Sequence, residues 1–490
     1  MSKSRTHRRA FAVASGLLSV AMVAAVLSLT GTVVAGATEV GDETAFRAAF
    51  TGAAETSIVL TADVTLTCGG GGAVARTSAT PVTIDGQGQY TITQTCADTE
   101  MLVAVGGGGV GLRGVTLTGG SIGVESDGPI DVRDSRIANL SHTTDSAIAV
   151  ASSSTAPVTI VDSVIEDVTG PTVLGVIAPS ASVTASGLQV RRLSATTMVL
   201  GAVAETLTLT GSSLTDLTSD GAVIGVEGEA LRMTRTTVRS LSATTNGIGV
   251  FGVSADTVVT DSFVGDLAGT DVFGILAQNG ASVYRSSIVG LTGTEEAFGF
   301  LAGSGSGLVL VDSTIADVTG PAVYSADDVT VVYSTIRHTG GPLVAPEATS
   351  VPVTAAENAP QIWATDALVM FGTVVVDPHA GSANCDATSN SSAGYNFADD
   401  TTCALTATGD RQGAGLVAGL GALGDHGGLG PTFVPEDGSP LIDAIPVAKC
   451  QYGPGLGVTT DERGEPRPAL GGCDIGAVEV QPPPEPTFTG

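Results

Sequence analysis

Residues 308–318 read LVLVDSTIADV, and this spacing of apolar residues recurs along the middle of the chain. Residues 158–168 (VTIVDSVIEDV) and 207–217 (LTLTGSSLTDL) share the form apolar-x-apolar-x-x-x-x-apolar-x-x-apolar. The pattern occurs nine times at intervals of 21 to 28 residues, with its third apolar residue at Ile137, Ile165, Val190, Leu214, Val238, Val264, Ile288, Ile315 and Ile336. A period of this length indicates a solenoid, a propeller or a repeat array.

The composition of each copy favours strands. Val, Ile, Leu and Thr alternate with a period of two, and turn-forming residues such as Thr319-Gly320-Pro321 follow. A propeller fits poorly, because its blades need roughly forty residues or more. A leucine-rich repeat would place Asn or Cys after its leucines, and this chain lacks that pattern. The sequence therefore predicts an all-β fold, a right-handed parallel β-helix solenoid with an N-terminal cap and a disulfide-containing C-terminal domain.

Stacking of coils about 4.8 Å apart would align equivalent side chains in ladders. A second inward ladder is predicted at Leu140, Val168, Leu193, Leu217, Leu241, Leu267, Leu291 and Val318. An outward ladder of alternating charge is predicted at Arg235, Asp261, Arg285 and Asp312. Opposite charges on adjacent strands attract, so this ladder is interpreted first as a set of ion pairs.

The first residues are typical of an export signal. Residues 3–9 are basic, residues 10–34 are uncharged and apolar, and Ala35-Gly36-Ala37 fits a cleavage site. We expect residues 1–37 to be a signal peptide cleaved after Ala37, although the apolar run is also long enough for an N-terminal membrane anchor. The mature chain is then extracellular or at the cell surface, with no membrane span after cleavage.

The six cysteines indicate a protein that folds in an oxidising compartment. The even count and the short separations predict disulfides that use Cys68, Cys96, Cys385, Cys403, Cys450 and Cys473. A zinc site would need CxxC or CxxH spacings, which the sequence lacks.

Amino-acid composition and the repeat pattern divide the 490 residues into five predicted regions. These are the signal peptide (1–37), an N-terminal cap with the first irregular coils (38–129), the regular repeats (130–345), a glycine-rich C-terminal region (346–480) and a proline-rich tail (481–490). A short amphipathic stretch, residues 43–54, is expected to cap the open end of the helix.

The C-terminal region resembles a known family. Residues 394–396 (GYN), 438–444 (GSPLIDA), 461–468 (DERGEPRP) and 473–479 (CDIGAVE) are similar, in this order, to the choice-of-anchor Q domain of bacterial surface and secreted β-helix proteins. Residues 81–86 (PVTIDG) and 112–120 (LRGVTLTGG) resemble its pectin-lyase-like partner. The resemblance implies a right-handed β-helix outside the cytoplasm and implies no established activity.

Two groups of charged residues are candidates for chemistry. Arg235, Asp261, Arg285 and Asp312 have the residue types of a calcium-dependent lyase site, with an ion-pair ladder as the alternative. In the C-terminal region Asp461, Arg463, Arg467, Asp474 and Glu479 are expected to form ion pairs, because calcium loops have closer acidic spacing. The sequence contains no Ser-His-Asp, P-loop or dinucleotide motif.

Charge limits the partners. The formal net charge of −29 repels nucleic acid and anionic polymers and is compatible with uncharged glycans. We therefore expect a non-catalytic, monomeric secreted or surface protein that binds extracellular polysaccharide or cell-wall glycan, or is adhesive or structural. The alternative is a polysaccharide lyase or glycoside hydrolase. No cofactor is expected, and Ca²⁺ is the ion left open.

Overall fold

Parallel pairing of successive coils organises the protein in the computed structural model, which describes residues 36–253, 257–305, 307–339, 359–451 and 458–483. Strands β1 to β34 belong to one continuous array, wound into a solenoid of about 13 turns. Strands of successive coils pair in parallel, as β11 does with β8 and β14. The predicted all-β parallel solenoid is confirmed, whereas residues 1–35 of the predicted signal peptide lie outside the described residues.

The described part of the first half of the chain contains the α-helix and the first coils of the solenoid. Its elements are β1 Thr38–Val40, α1 Glu43–Thr51, β2 Ser57–Leu60, β3 Val64–Leu66, β4 Val74–Arg76, β5 Val82–Asp85, β6 Thr91–Gln94, β7 Glu100–Ala104, β8 Val110–Arg113, β9 Thr116–Gly119, β10 Ile122–Ser126, β11 Ile130–Arg133, β12 Arg136–Ala138, β13 Ser146–Ser152, β14 Val158–Val161, β15 Val164–Ser186, β16 Gln189–Thr210, β17 Ser213–Ser219 and β18 Ala222–Thr234.

The second half continues the coils and then leaves them. Its elements are β19 Thr237–Ala243, β20 Asn246–Gly252, β21 Thr257–Thr260, β22 Phe263–Ala277, β23 Ala281–Tyr284, β24 Ser287–Ala302, β25 Leu308–Val311, β26 Thr314–Val318, β27 Val323–Ser325, β28 Val329–Val332, β29 Thr335–Arg337, β30 Ile362–Phe371, β31 Val374–Val376, β32 Cys385–Gly394, β33 Phe397–Ala398, β34 Arg411–Gln412, β35 Ile445–Pro446 and β36 Gly472–Cys473. The last two strands form a separate antiparallel pair.

Inward ladders of aliphatic side chains form the core. Ile165, Val190 and Leu214 are register partners in successive coils and are buried. The predicted second ladder, from Leu140 to Val318, is likewise buried throughout. Parallel strands covered on the inner side bury their apolar residues at every coil, which explains why the repeat retains them.

The corners of the coils use left-handed backbone. Asp261 and Asp266 have φ angles of 47° and 55°, and the equivalent residues of other coils share this conformation. Asp tolerates it better than most residues because its short side chain bonds locally. Arginine is less suited to it, yet Arg285 occupies the corner at φ 46° and is held by Asp261 of the preceding coil.

A buried hydroxyl follows the first corner of most coils. Ser262 Oγ donates to the carbonyl of Thr260 (2.7 Å) and accepts the backbone N–H of Thr236 (3.1 Å). The same arrangement recurs in the hydroxyl ladder Ser135, Ser163, Ser212, Thr236, Ser262, Ser286, Ser313 and Ser334. These side chains satisfy backbone groups that the bend removes from the strand ladder.

Both ends of the solenoid carry additional structure. Helix α1 begins at an Asp42 N-cap and buries Phe46 and Phe50 on the first coils, as expected of a cap. The three predicted disulfides are present, Cys68–Cys96, Cys385–Cys403 and Cys450–Cys473. In the described part of the chain, no helix has the length and apolar character to cross a membrane.

We predict that Leu217→Ala lowers the free energy of unfolding by about 2–5 kcal/mol, because it removes a fully buried side chain of the second inward ladder. Urea denaturation followed by circular dichroism measures this change. The matched control is Thr218→Ala, which alters an exposed neighbour and should change stability by about 0.5 kcal/mol or less. Equal losses in the two variants would contradict the assignment of Leu217 to the core.

Candidate functional site

The four residues singled out for a lyase site occupy the first corner of successive coils. Arg235, Asp261, Arg285 and Asp312 all have φ angles between 45° and 48°. Arg285 binds Asp261 with two hydrogen bonds, of 2.6 Å to Oδ1 and 3.0 Å to Oδ2. Arg235 lies at the exposed end of this row. The middle pair is therefore an ion pair between adjacent coils.

Asp312 departs from the outward position expected of it, since only 3% of its surface is exposed. The C-terminal region passes over this end of the row and brings the Arg467 guanidinium within 3.8 Å of the carboxylate. Burial raises the pKa of Asp312 to about 8, although the charge of Arg467 acts in the opposite direction. The expectation that Asp312 faces solvent was wrong, because residues about 150 positions later in the chain cover it.

Arg467 is the centre of the seam between the C-terminal region and the solenoid. Its guanidinium is fully buried, lies 4.2 Å from the ring centre of Tyr333 and is 3.6 Å from Glu479. It also donates hydrogen bonds to the carbonyls of Asp474 (2.8 Å) and Gly476 (2.9 Å). A buried guanidinium needs this set of partners, because leaving one unpaired costs several kcal/mol.

A second ion pair completes the expected C-terminal network. Arg463 donates to Asp461 Oδ2 at 2.7 Å, and Asp461 also accepts the backbone N–H groups of Arg463 (2.9 Å), Glu465 (3.0 Å) and Glu479 (3.0 Å). The acids are thus occupied by arginine and backbone donors. Among the described residues, no group of three or more His, Cys, Asp or Glu side chains has the arrangement of a metal site.

Glu462 joins the seam directly to the wall of the solenoid. Ser287 donates to its Oε1 at 2.6 Å, and Thr314 donates to its Oε2. Burial nevertheless raises the pKa of Glu462 to about 8, and burial raises that of Glu479 to about 7. These acids lie between two packed layers, so they act in holding the C-terminal region in place.

A shallow cleft near the end of the regular repeats contains two histidines. The rings of His338 and His379 lie 3.5 Å apart between centres, and Arg337 pairs with Asp377 at 2.8 Å. His379 Nε2 also contacts the carbonyl oxygen of Val318 at 3.0 Å. Thr339, Pro378 and Ala380 complete the lining of this cleft.

The other distinctive feature is an aromatic cluster on an outer face, formed by Phe273, Phe298, Tyr324 and Trp363. Successive ring centres are 5.8, 6.0 and 5.2 Å apart. Phe298 and Tyr324 are buried within the cluster, whereas Phe273 and Trp363 remain partly exposed. Phe273 and Phe298 are parallel, and the other two contacts are edge-to-face, so the cluster offers an apolar surface with two partly exposed rings.

The sequence pattern did not bring these four aromatic residues together. Alignment of the coils by their inward residues puts Phe273 and Phe298 at the same outward position, so this part could have been found. Trp363 was missed because 38 residues, many of them without the repeat pattern, separate it from its register partner Tyr324.

Comparison with known proteins adds no assignment for this site. No protein-family model, no curated protein and no solved structure matches this chain.

We predict that the C-terminal region becomes less stably attached as the pH rises from about 4 towards 8. Carboxyl groups in the unfolded chain release their protons near pH 4. Burial raises the pKa of Asp312 and of Glu462 to about 8 in the folded protein, so the stability that these two groups contribute is greatest below pH 4 and is lost as the pH rises through 8. Urea midpoints measured between pH 5 and 9 test the direction.

Glu462→Gln is the matched variant for this prediction, because the amide keeps hydrogen bonds to Ser287 and Thr314 but does not titrate. Its urea midpoint should decline less between pH 5 and 9 than that of the unaltered protein. Parallel declines would show that Glu462 does not contribute to the pH dependence.

Proposed function

We propose that this protein is a non-catalytic extracellular or cell-surface solenoid that binds an uncharged glycan on its aromatic cluster. The single observation that carries the proposal is the continuous contact of the rings of Phe273, Phe298, Tyr324 and Trp363 across neighbouring coils of one outer face. The C–H faces of sugar rings are apolar and pack against aromatic rings. A partly exposed aromatic row is therefore a suitable platform for a sugar chain.

The export of the chain is supported by its sequence and its disulfides. A basic and then apolar N-terminal segment precedes the Ala35-Gly36-Ala37 cleavage motif. Three disulfides join all six cysteines, a pattern typical of oxidising compartments. Residues 461–479 also resemble the choice-of-anchor Q domain, which occurs in bacterial surface and secreted β-helix proteins, and this resemblance supports the same location.

Charge supports a neutral ligand. The chain has 49 acidic and 20 basic residues, so long-range repulsion disfavours pectate-like and nucleic-acid polymers. A neutral polysaccharide has no such penalty. Its binding would depend on contact with the aromatic rings and on hydrogen bonds at their edges.

The lyase or hydrolase alternative would rely on residues that have other partners. Asp261 accepts two hydrogen bonds from Arg285, and Asp312 is buried under the C-terminal region next to Arg467. A substrate would have to displace both arrangements before a carboxylate could hold calcium or accept a proton. These contacts support a binding role over a catalytic one.

We predict that the double substitution Phe273→Ala and Trp363→Ala weakens binding to insoluble neutral polysaccharides by at least tenfold, because it removes the two partly exposed rings of the cluster. Cosedimentation with cellulose, chitin, mannan and β-1,3-glucan measures the affinity. A reducing-end assay in the same samples, with and without calcium, should remain at background.

Tyr90→Ala is the control for this experiment, since Tyr90 is a partly exposed aromatic residue distant from the cluster along the solenoid. It should retain the affinity of the unaltered protein. New reducing ends, or an undiminished affinity in the double variant, would overturn the proposed function.

A further inference from the structure

An apolar surface continues from the aromatic cluster along the same outer face. One column consists of Ile148, Leu174, Leu200, Ile224, Ile248 and Phe273, which are register partners in six successive coils. Leu200 and Ile248 are buried, and the other four side chains are partly exposed. A second column, three residues further along each strand, contains Ala151, Ile177, Val203, Glu227, Phe251 and Leu276. Glu227 interrupts this otherwise apolar column between Val203 and Phe251, and Ala151 is buried. We call these two columns the apolar stripe.

The interior of the solenoid keeps the two columns in line. Between them each coil from β15 to β24 has an inward-facing glycine, as at Gly201. A Cβ atom there would lie 2.4 Å from the carbonyl oxygen of Gly225 and 2.6 Å from a methyl group of Leu214. Only glycine fits, so the backbone of successive coils stays closely stacked and the outward side chains form straight rows.

The dimensions of the stripe suit an extended chain. At about 4.8 Å per coil, the rows from Ile148 to Phe273 are roughly 24 Å long, and the aromatic cluster adds about 14 Å. The columns lie about 10 Å apart, because three residues of a strand separate them. The outlined area of some 400 Å² lies within the roughly 300–600 Å² of the largest apolar patch on a typical monomer, and is half of the roughly 800 Å² per partner of a stable protein interface.

Acidic residues beside the stripe limit the class of ligand that can bind there. Glu205 and Glu229 are exposed two residues beyond the second column, and Asp271 borders the first. A second copy of the chain bound here would bring its own carboxylates close to these three acidic residues, and the like charges would repel. An anionic polymer would be repelled in the same way. The rows themselves are apolar, apart from Glu227.

We propose that the apolar stripe binds a single extended, uncharged polysaccharide chain laid parallel to the solenoid axis. The chain contacts the aromatic cluster at one end and the aliphatic rows over the preceding coils. This inference rests on the proposed function and adds the length, the direction and the neutral, extended character of the ligand. Contact over several coils predicts much tighter binding of long chains than of short oligosaccharides.

The test changes the stripe far from the aromatic cluster. Ile177 lies four coils from Leu276, roughly 19 Å away, so Ile177→Asp leaves the rings in place. The matched control is Val258→Asp, which introduces the same carboxylate at a partly exposed outward position of β21. Circular dichroism establishes that both variants fold.

Each protein is titrated with the neutral polysaccharide that the unaltered chain binds and with its disaccharide and hexasaccharide. We expect Ile177→Asp to weaken binding of the long polymer at least tenfold and to leave disaccharide binding unchanged, with Val258→Asp matching the unaltered protein. Equal polymer affinities in the two variants, while the aromatic double variant loses binding, would overturn the stripe and leave the proposed function standing.

Two further outcomes are decisive. If the unaltered protein binds no neutral polysaccharide, the proposed function and this inference both fail. If sedimentation velocity shows a dimer that Ile177→Asp converts to a monomer, the stripe is an interface between copies of the chain and the polysaccharide inference is overturned.

Discussion

In-register stacking of parallel coils is the constraint on which the rest of this structure depends. Once neighbouring coils are joined by parallel hydrogen bonds, each position of the coil becomes a column that runs along the solenoid. Inward columns must be aliphatic, corner columns must tolerate left-handed backbone, and the hydroxyl column must satisfy the backbone at the bend. Outward columns are free to vary, so a regular apolar pattern there calls for an explanation other than folding.

The C-terminal region is attached by a different kind of interaction. It covers the outer side of the later coils, where Phe433 packs on Phe263 and Arg467 stacks on Tyr333. This packing buries several carboxyl groups and raises the pKa of each, because burial disfavours the charged form. The buried Arg467 and these carboxyl groups therefore lie at the contact between the C-terminal region and the solenoid.

The repeat was sufficient to predict the fold, because inward residues such as Ile165 and Leu217 recur with the coil and are decided by local pattern alone. The three cysteine pairs are close in sequence and followed from the same reasoning. The burial of Asp312 did not follow, since it depends on contacts with Arg467 across 155 positions. The aromatic cluster was also missed, because the register that joins Trp363 to Tyr324 is set by three-dimensional stacking after an interruption of the repeat.

Trp363 is the single tryptophan of the chain and belongs to the aromatic cluster, so its fluorescence reports directly on the proposed binding face. The most direct measurement is a titration of the protein with a neutral polysaccharide that it cosediments with, following Trp363 emission and acrylamide quenching. The account predicts a shift to shorter wavelength and reduced quenching at saturation, because the partly exposed ring becomes covered. Binding that leaves both emission and quenching unchanged would contradict the assignment of this face as the glycan-binding surface.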